Sequence, residues 1–441
     1  MSIFTLSHAL TDDYKNYVRS FFNIADDKIR GFVEERLFQK DSLWPEALLQ
    51  LNPSYAEGAT VQELSVQGRL HPLCGEIFCR DGEPLRLYHH QQAAIERGLA
   101  RQSFVITSGT GSGKTLTYLI PIFDAVLQNN PEEAKVRAII VYPMNALVNS
   151  QHEMLKALKE GFEERTGREL PVRFEKYTGQ EDEATRSRIR KEPPHILLTN
   201  YMMLELILLR PEERQFVDRA VTGIEFLVFD ELHTYRGRQG ADVALLIRRL
   251  RERCGNPNLV CIGTSATMVA GEGVSGLERR QAVAAFASKI FGVPVAPDNV
   301  IEERFTRLTT AAAPPDREAL RRAVEAPVPE TVAEMLASPL TAWVEQTFGL
   351  EEEPGGNLRR VKPRTLTEGA QRLARDTGLG VEVCLGRLQE ILLKGSQLKL
   401  PDGNPLFALK LHQFISQGRA VYATLEPPPV RFLTLEGQYY A

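Results

Sequence analysis

The chain has 441 residues, 43% of them apolar and 25% charged, an ordinary balance for a globular protein. No apolar run approaches the ~20 residues that a membrane-spanning helix needs. Its 53 basic and 57 acidic residues leave a net charge of −4, which excludes coating a nucleic acid by bulk charge but not gripping one strand in a local groove. The first residues lack a basic stretch followed by a long apolar one, and the five cysteines are scattered and odd in number. A cytoplasmic protein without membrane contact is expected.

Residues 1–84 read as an N-terminal strap or accessory region. It opens with an amphipathic helical stretch over 12–40, where Tyr14, Val18, Phe21, Ile29 and Phe32 recur on one face, and continues as turn-rich sequence. Within it, Cys74, Cys79 and His71 lack a second pair at finger-like spacing, so buried, idle thiols are expected rather than a metal site.

From 85 to 295 short apolar runs alternate with helix-like stretches. The runs are 104–106, 139–142, 196–198, 226–229 and 260–262. They are continuously apolar rather than alternating, which means that both faces of the sheet are covered, as in a parallel α/β sheet. In such sheets the chemistry lies beyond the carboxyl ends of the strands. The basic runs 186–191 and 248–253 read as solvated helix faces.

Residues 296–441 open on a Pro/Ala-rich joint at 309–315. Helices follow over 317–325, 331–348, 366–376 and 381–393, interrupted by a loop at 351–356, with a short β-like tail at 420–425 and 431–435. The string Gln371-Arg372-Leu373-Ala374-Arg375 lies in a helical stretch and carries no motif.

The most informative segment runs from Ser103 to Thr115. A buried strand enters the turn Ser108-Gly109-Thr110-Gly111-Ser112-Gly113, and Lys114-Thr115 opens a helix over 116–127. Glycines allow a turn that aims successive amide N–H groups at a phosphate, and the helix start adds partial positive charge. Lys114 can reach the β- and γ-phosphates of ATP, and the Thr115 hydroxyl can ligate Mg²⁺. The strict phosphate-loop pattern has glycine where this chain has Ser108.

A second buried strand ends in Asp230-Glu231-Leu232-His233. A strand end brings both carboxylates to one point: Asp230 to hold Mg²⁺, and Glu231 to orient and deprotonate the attacking water.

Five strings stand in the order found in the first RecA-like domain of superfamily 2 helicases: Tyr88-His89-His90-Gln91, the loop 108–115, Tyr142-Pro143-Met144-Asn145-Ala146-Leu147, Asp230-Glu231-Leu232-His233 and Ser265-Ala266-Thr267. The longer string 230–237 with Gly240 resembles the large bacterial DExH helicases related to Lhr and the mitomycin-repair helicases, some of which sit in phage-defence or DNA-repair gene sets. The resemblance implies an α/β, RecA-like P-loop domain over 85–295, with an N-terminal helical element and a mostly helical C-terminal region. It implies that Gln91 reads adenine with Tyr88 beside it, and that His233, Ser265, Ala266 and Thr267 couple nucleotide state to the grip on nucleic acid. Pro143, Asn145, Thr178, Gly179, Gln180, Thr199 and Asn200 would touch the backbone of a single strand, DNA in the first instance, although Asn145 stands where many relatives carry a basic residue. No second RecA-like domain is legible after 296. The expectation is therefore the ATP-binding half of a helicase or translocase, weak in hydrolysis until another domain or chain completes it. A nucleotide-gated interaction module and an RNA helicase are the alternatives.

Overall fold

The computed structural model describes residues 3–436 except 22, 40–43, 81, 110, 211–212, 214–215, 217–221, 267–274, 310–314, 354–355, 402, 416–419 and 428. Two compact units emerge, one of Tyr55–Arg304 and one that joins Met1–Ser54 to Phe305–Ala441.

The Tyr55–Arg304 unit is built on seven parallel strands: β1 (Phe104–Thr107), β2 (Ala138–Tyr142), β3 (Phe174–Lys176), β4 (Ile196–Asn200), β5 (Phe226–Phe229), β6 (Val260–Ser265) and β7 (Val300–Glu302). Their order in the sheet is β7-β1-β6-β5-β2-β4-β3. α1 (His89–Leu99) precedes β1, and between the strands run α2 (Lys114–Gln128), α3 (Asn145–Thr166), α4 (Glu183–Lys191), α5 (Tyr201–Leu209), α6 (Gly237–Cys254) and α7 (Gly276–Phe291). Alternate strand residues feed two separate cores, as the pleat dictates. Phe104, Ile106, Ile140, Leu198, Val228 and Ile262 face one core with α1, α2 and α3. Val105, Ile139, Val141, Leu197, Leu227 and Cys261 face the other with α5, α6 and α7. This two-sided burial is why the strands read as unbroken apolar runs.

All five expected runs are strands. The two strands added by the structure, β3 and β7, are three residues long and lie at the edges of the sheet. Each carries charge (Glu175 and Lys176 in one, Glu302 in the other), so neither shows an apolar run.

The unit also begins earlier than the 85 expected from sequence. Val61, Leu64, Leu70, Cys74, Ile77, Phe78 and Leu87 are buried in the same core as α1 and α2. Cys74 is fully buried among them, and burial pushes its thiol up. The His71 imidazole caps the short helix Pro72–Ile77, accepting the Leu73 N–H at 3.2 Å.

In the other unit, the strands Arg364–Thr365, Leu48–Asn52 and Ala408–His412 form an antiparallel sheet in that order. It packs with helices Arg317–Glu325, Pro339–Phe348, Leu366–Thr377 and Val381–Gln397 around Leu49, Trp343, Phe348, Leu373 and Leu388. The single helix expected at 331–348 is two, Val332–Ala337 and Pro339–Phe348, because Pro339 cannot donate to a helix arriving from before it. Of the expected loop at 351–356, Glu351 and Glu352 lie in the strand Leu350–Glu352, which pairs antiparallel with Leu358–Arg360, and 354–355 fall outside the described residues. The N-terminal helix starts at Ile3, before the expected residue 12, and a second helix follows at Asp27–Val33. The β-like tail is reduced to Tyr422–Ala423 paired with Leu433–Thr434. Most of the joint at 309–315 lies outside the described residues. Among those residues, no helix is long and apolar enough to cross a membrane.

Candidate nucleotide site

β6 lies between β1 and β5, so the carboxyl ends of these three strands form one crevice. The phosphate loop leaves β1, with the Ser108 N–H donating to Ser265 O at 3.0 Å. Gly111 and Gly113 have φ of 81° and 71°, conformations that a side chain would strain. Ser108 is buried and shares a 2.6 Å hydroxyl contact with Ser112, so a serine where the strict pattern has glycine ties the two ends of the loop together. α2 starts at Lys114, whose ammonium donates to Ser108 O at 3.0 Å and stands 3.8 Å from the Glu231 carboxylate. The Thr115 hydroxyl donates to Gln151 Oε1 at 3.3 Å. Thr110, expected in the loop, lies outside the described residues.

Behind the loop, the Gln91 amide donates to Ser112 O at 3.0 Å and Gly113 O at 3.2 Å, while its carbonyl accepts the Tyr88 N–H at 2.8 Å. The Tyr88 ring stacks on His90 at 5.7 Å. Gln91 is almost fully buried and its amide is committed to the loop backbone, so in this state it braces the loop rather than presenting both amide groups outward.

Asp230 and Glu231 follow β5. The Thr264 hydroxyl, on the neighbouring strand, donates to Asp230 Oδ1 at 2.5 Å and accepts the Glu231 N–H at 3.1 Å. One β-branched side chain thereby holds the Asp230 carboxylate and the Glu231 backbone. Glu231 adopts φ 51°, a left-handed conformation that is uncommon for a residue with a Cβ. It turns the chain so that His233 Nδ1 comes within 3.2 Å of Glu231 Oε2 and 3.1 Å of Ser265 Oγ. The expected coupling segment thus meets His233 at Ser265, and Ala266 O accepts the Ser265 hydroxyl at 2.7 Å. Thr267 lies outside the described residues.

The rest of the 230–240 string packs this corner. Tyr235 is fully buried, with its ring edge-on to Phe229 at 5.6 Å. A Cβ on Gly240 would come 2.6 Å from Tyr235 O, so only glycine lets α6 close on that turn.

Burial pushes the Asp230 carboxyl above the ordinary aspartate range; the Thr264 hydrogen bond opposes this, while the adjacent Glu231 charge adds to it. The folded chain therefore holds a proton on Asp230 more tightly than the unfolded chain does. Its contribution to stability is full below the ordinary aspartate pKa and is lost as pH rises through the raised value. Asp230→Asn is expected to raise the melting temperature of the ligand-free chain at neutral pH by roughly 2–4 °C, the shift produced by about 1 kcal/mol in a domain of this size. Calorimetry from pH 4 to 8 checks this, and the gain should shrink toward the acid end.

The pair has the chemistry for magnesium. Asp230 and Thr115 offer hard oxygens, and Asp230 is an acid held at a cost that a cation would relieve. Among the described residues, no group of three or more His, Cys, Asp or Glu is placed to hold a metal by protein alone. A small cation shared with phosphate oxygens fits that donor set.

The predicted strand-facing residues divide. Asn200 Nδ2 donates to Asn145 Oδ1 at 2.6 Å, and Asn200 Oδ1 caps α5 by accepting the Met203 N–H at 2.7 Å. Asn149 Nδ2 reaches Gln180 Oε1 at 3.2 Å and its Oδ1 accepts Lys176 Nζ at 2.9 Å. Asn200 ends β4, and the other carboxamides, with Pro143 and Gly179, follow the ends of β2 and β3. Thr199 and Thr178 are fully buried instead. The Thr199 hydroxyl donates to Tyr177 O at 2.6 Å and the Thr178 hydroxyl to Glu181 Oε2 at 2.8 Å. Their side chains shape the edge and face inward.

Sequence reasoning missed Thr264, Asn149, Lys176 and Gln151. Thr264 directly precedes the expected Ser265-Ala266-Thr267, and adjacency of β6 to β5 was the signal that could have found it.

Residues 88–272 match the DEAD/DEAH box helicase family. That stretch carries a DEAD/DEAH box helicase domain. The helicase domain is similar to Druantia protein DruE of Escherichia coli (strain UMEA 4076-1), with 28% identity over 372 residues, covering 59% of this chain and 20% of the relative. It is 33% identical over 186 residues to the ATP-dependent helicase YprA of Bacillus subtilis, covering 41% and 23% of the two chains. It is 31% identical over 208 residues to the ATP-dependent helicase Lhr-Core of Methanothermobacter thermautotrophicus, covering 45% and 23%. The chain thus spans 20% to 23% of the length of these relatives. Among solved structures, the helicase MrfA bound to DNA and AMPPNP aligns over 68% of this chain and 42% of its own, at 22% identity and a TM-score of 0.45.

Proposed function

We propose that this chain is the ATP-binding half of a nucleic-acid helicase or translocase. The observation that carries the reading is the junction of the Lys114 ammonium with Glu231 at 3.8 Å, beside an Asp230 bridged to the same corner by Thr264. A phosphate cradle and an acidic couplet meet at one strand-end crevice. ATP is bound there with its phosphates along the turn 108–113 and the start of α2. Lys114 exchanges Ser108 O and Glu231 for phosphate oxygens. That exchange frees the Glu231 carboxylate to accept a proton from water, and His233 holds it in position. Thr115 and Asp230 would hold Mg²⁺, which would neutralise charge on the phosphates.

Among the described residues, the side-chain partners of the Asp230 and Glu231 carboxylates are Thr264, Lys114 and His233, and none is an arginine. An arginine from a second RecA-like domain would complete the site, and loss of such a residue typically costs about 10³ to 10⁵ in rate. The strand-facing partner is single-stranded nucleic acid, held at the carboxamide edge formed by Asn145, Asn149, Gln180 and Asn200. We take DNA as the first substrate to test. Hydrolysis by the 441 residues alone is expected to be slow, and single-stranded oligonucleotide should tighten nucleotide binding. Fluorescence titration of a nucleotide analogue with DNA, RNA and no oligonucleotide checks this. Equal binding in all three would remove the nucleic-acid reading, and a response to RNA alone would make the chain part of an RNA motor.

A further inference from the structure

Two segments remote in sequence meet at the entrance of the phosphate loop. β7 lies parallel to β1 with Glu302 opposite Thr107, so the next residue, Glu303, arrives beside the first residues of the loop. Glu303 Oε1 accepts the Gly109 N–H at 2.8 Å and the Tyr55 hydroxyl at 2.8 Å. The Tyr55 ring lies 4.6 Å from that of Tyr88 and 5.0 Å from that of His90. Tyr88 in turn precedes α1, whose Gln91 holds Ser112 O and Gly113 O. Main-chain bonds fix the three segments together: Ala56 N–H to Arg304 O at 2.9 Å, and His89 N–H to Ala56 O at 2.8 Å. One aromatic group therefore grips the phosphate loop at both ends, at its start through Glu303 and at its end through Gln91.

We propose that Glu303 is a positioning residue that transmits occupancy of the half-buried Tyr55–Tyr88 pair, backed by the buried His90, by a nucleotide base to the phosphate loop. The inference rests on the ATP reading above. A base ordered against the aromatic rings fixes Tyr55, Tyr55 fixes Glu303, and Glu303 holds Gly109 in the loop conformation that accepts a triphosphate. Base and triphosphate then bind with positive coupling, because the first stabilises the shape that the second needs. A bare triphosphate gains nothing from this linkage and also meets the Glu303 charge.

The test is calorimetric titration of the full chain with MgATP, MgGTP and magnesium tripolyphosphate, for wild type, Glu303→Ala, Glu303→Gln, Tyr55→Phe and the Tyr55→Phe/Glu303→Ala double variant. Glu303→Ala is expected to cut the ratio of ATP to tripolyphosphate affinity about tenfold, equivalent to about 1.4 kcal/mol, with tripolyphosphate binding held or slightly improved. Glu303→Gln, whose amide oxygen can accept both donors, should recover most of the ratio. Tyr55→Phe should reproduce the loss, and the double variant should add nothing to it. An unchanged ratio in Glu303→Ala overturns the proposal, as does a parallel fall in ATP and tripolyphosphate affinity, which would make Glu303 a loop-folding residue only. If Glu303→Ala does not fold, Tyr55→Phe decides alone by the same ratio. A wild-type chain that binds neither ligand defeats the ATP reading itself, a result distinct from any of these.

Discussion

Replacing Lys114 by alanine is expected to weaken MgATP binding at least about a hundredfold while leaving the fold intact. The ammonium is the one lysine or arginine group ion-paired with Glu231 among the described residues, where it stands 11% exposed against a carboxylate 25% exposed. Charge-assisted hydrogen bonds to phosphate contribute about 1.5–3 kcal/mol each, and Lys114 would make more than one. Removing it also leaves the Asp230–Glu231 pair less compensated, so phosphates would approach two carboxylates with one cation fewer. The helix itself loses little, since alanine is a better helix former than lysine and Lys114 occupies only the first position of α2. Titration calorimetry of MgATP, with circular dichroism as the folding control, reads the result. Unchanged affinity would remove Lys114 from the phosphates and the proposed function with it.

Glu231→Gln is expected to separate binding from turnover. The glutamine keeps the size and the contact with His233 but cannot take a proton from water, and loss of a general base typically costs about 10² to 10⁴ in rate. MgATP affinity should hold or improve slightly, because one negative charge leaves the neighbourhood of the phosphates. The backbone at 231 already sits at φ 51° with its N–H on Thr264, and neither depends on side-chain charge. Single-turnover hydrolysis beside equilibrium binding distinguishes the outcomes. A variant that hydrolyses like the parent would assign the base to another group, and one that no longer binds would make Glu231 part of the cradle.

The contrast between these variants and the Tyr55–Glu303 linkage shows where sequence reading works. The loop 108–115 and the couplet 230–231 are local: their chemistry is written in consecutive residues, and a buried strand before each tells where it will sit. The five inner strands were legible for the same reason, since burial on both faces forces a run of apolar side chains. β3 and β7 were not, because a short edge strand is under no such pressure. Glu303 and Tyr55 stand far from the loop in sequence, and only the placement of β7 beside β1 brings them to it. Thr178 and Thr199 illustrate another limit. Their residue type suited contact with a phosphate backbone, but type does not say which way a hydroxyl points, and both turn inward to carbonyl or carboxylate oxygens. The start of the Tyr55–Arg304 unit was hidden in the same manner: the apolar residues between 61 and 87 are spread over short turns and helices, and only their shared core with α1 and α2 shows which unit they join.

If the proposed carboxamide edge of Asn145, Asn149, Gln180 and Asn200 holds a strand, it has a kinetic consequence for a motor. Neutral amides release few counterions when they meet phosphate, so such a surface would hold a strand by geometry more than by charge, and its hold would change little with ionic strength. It can let go as readily as it takes hold. A track held this loosely at every step suits a machine that must advance along it, provided that each release is timed by the nucleotide.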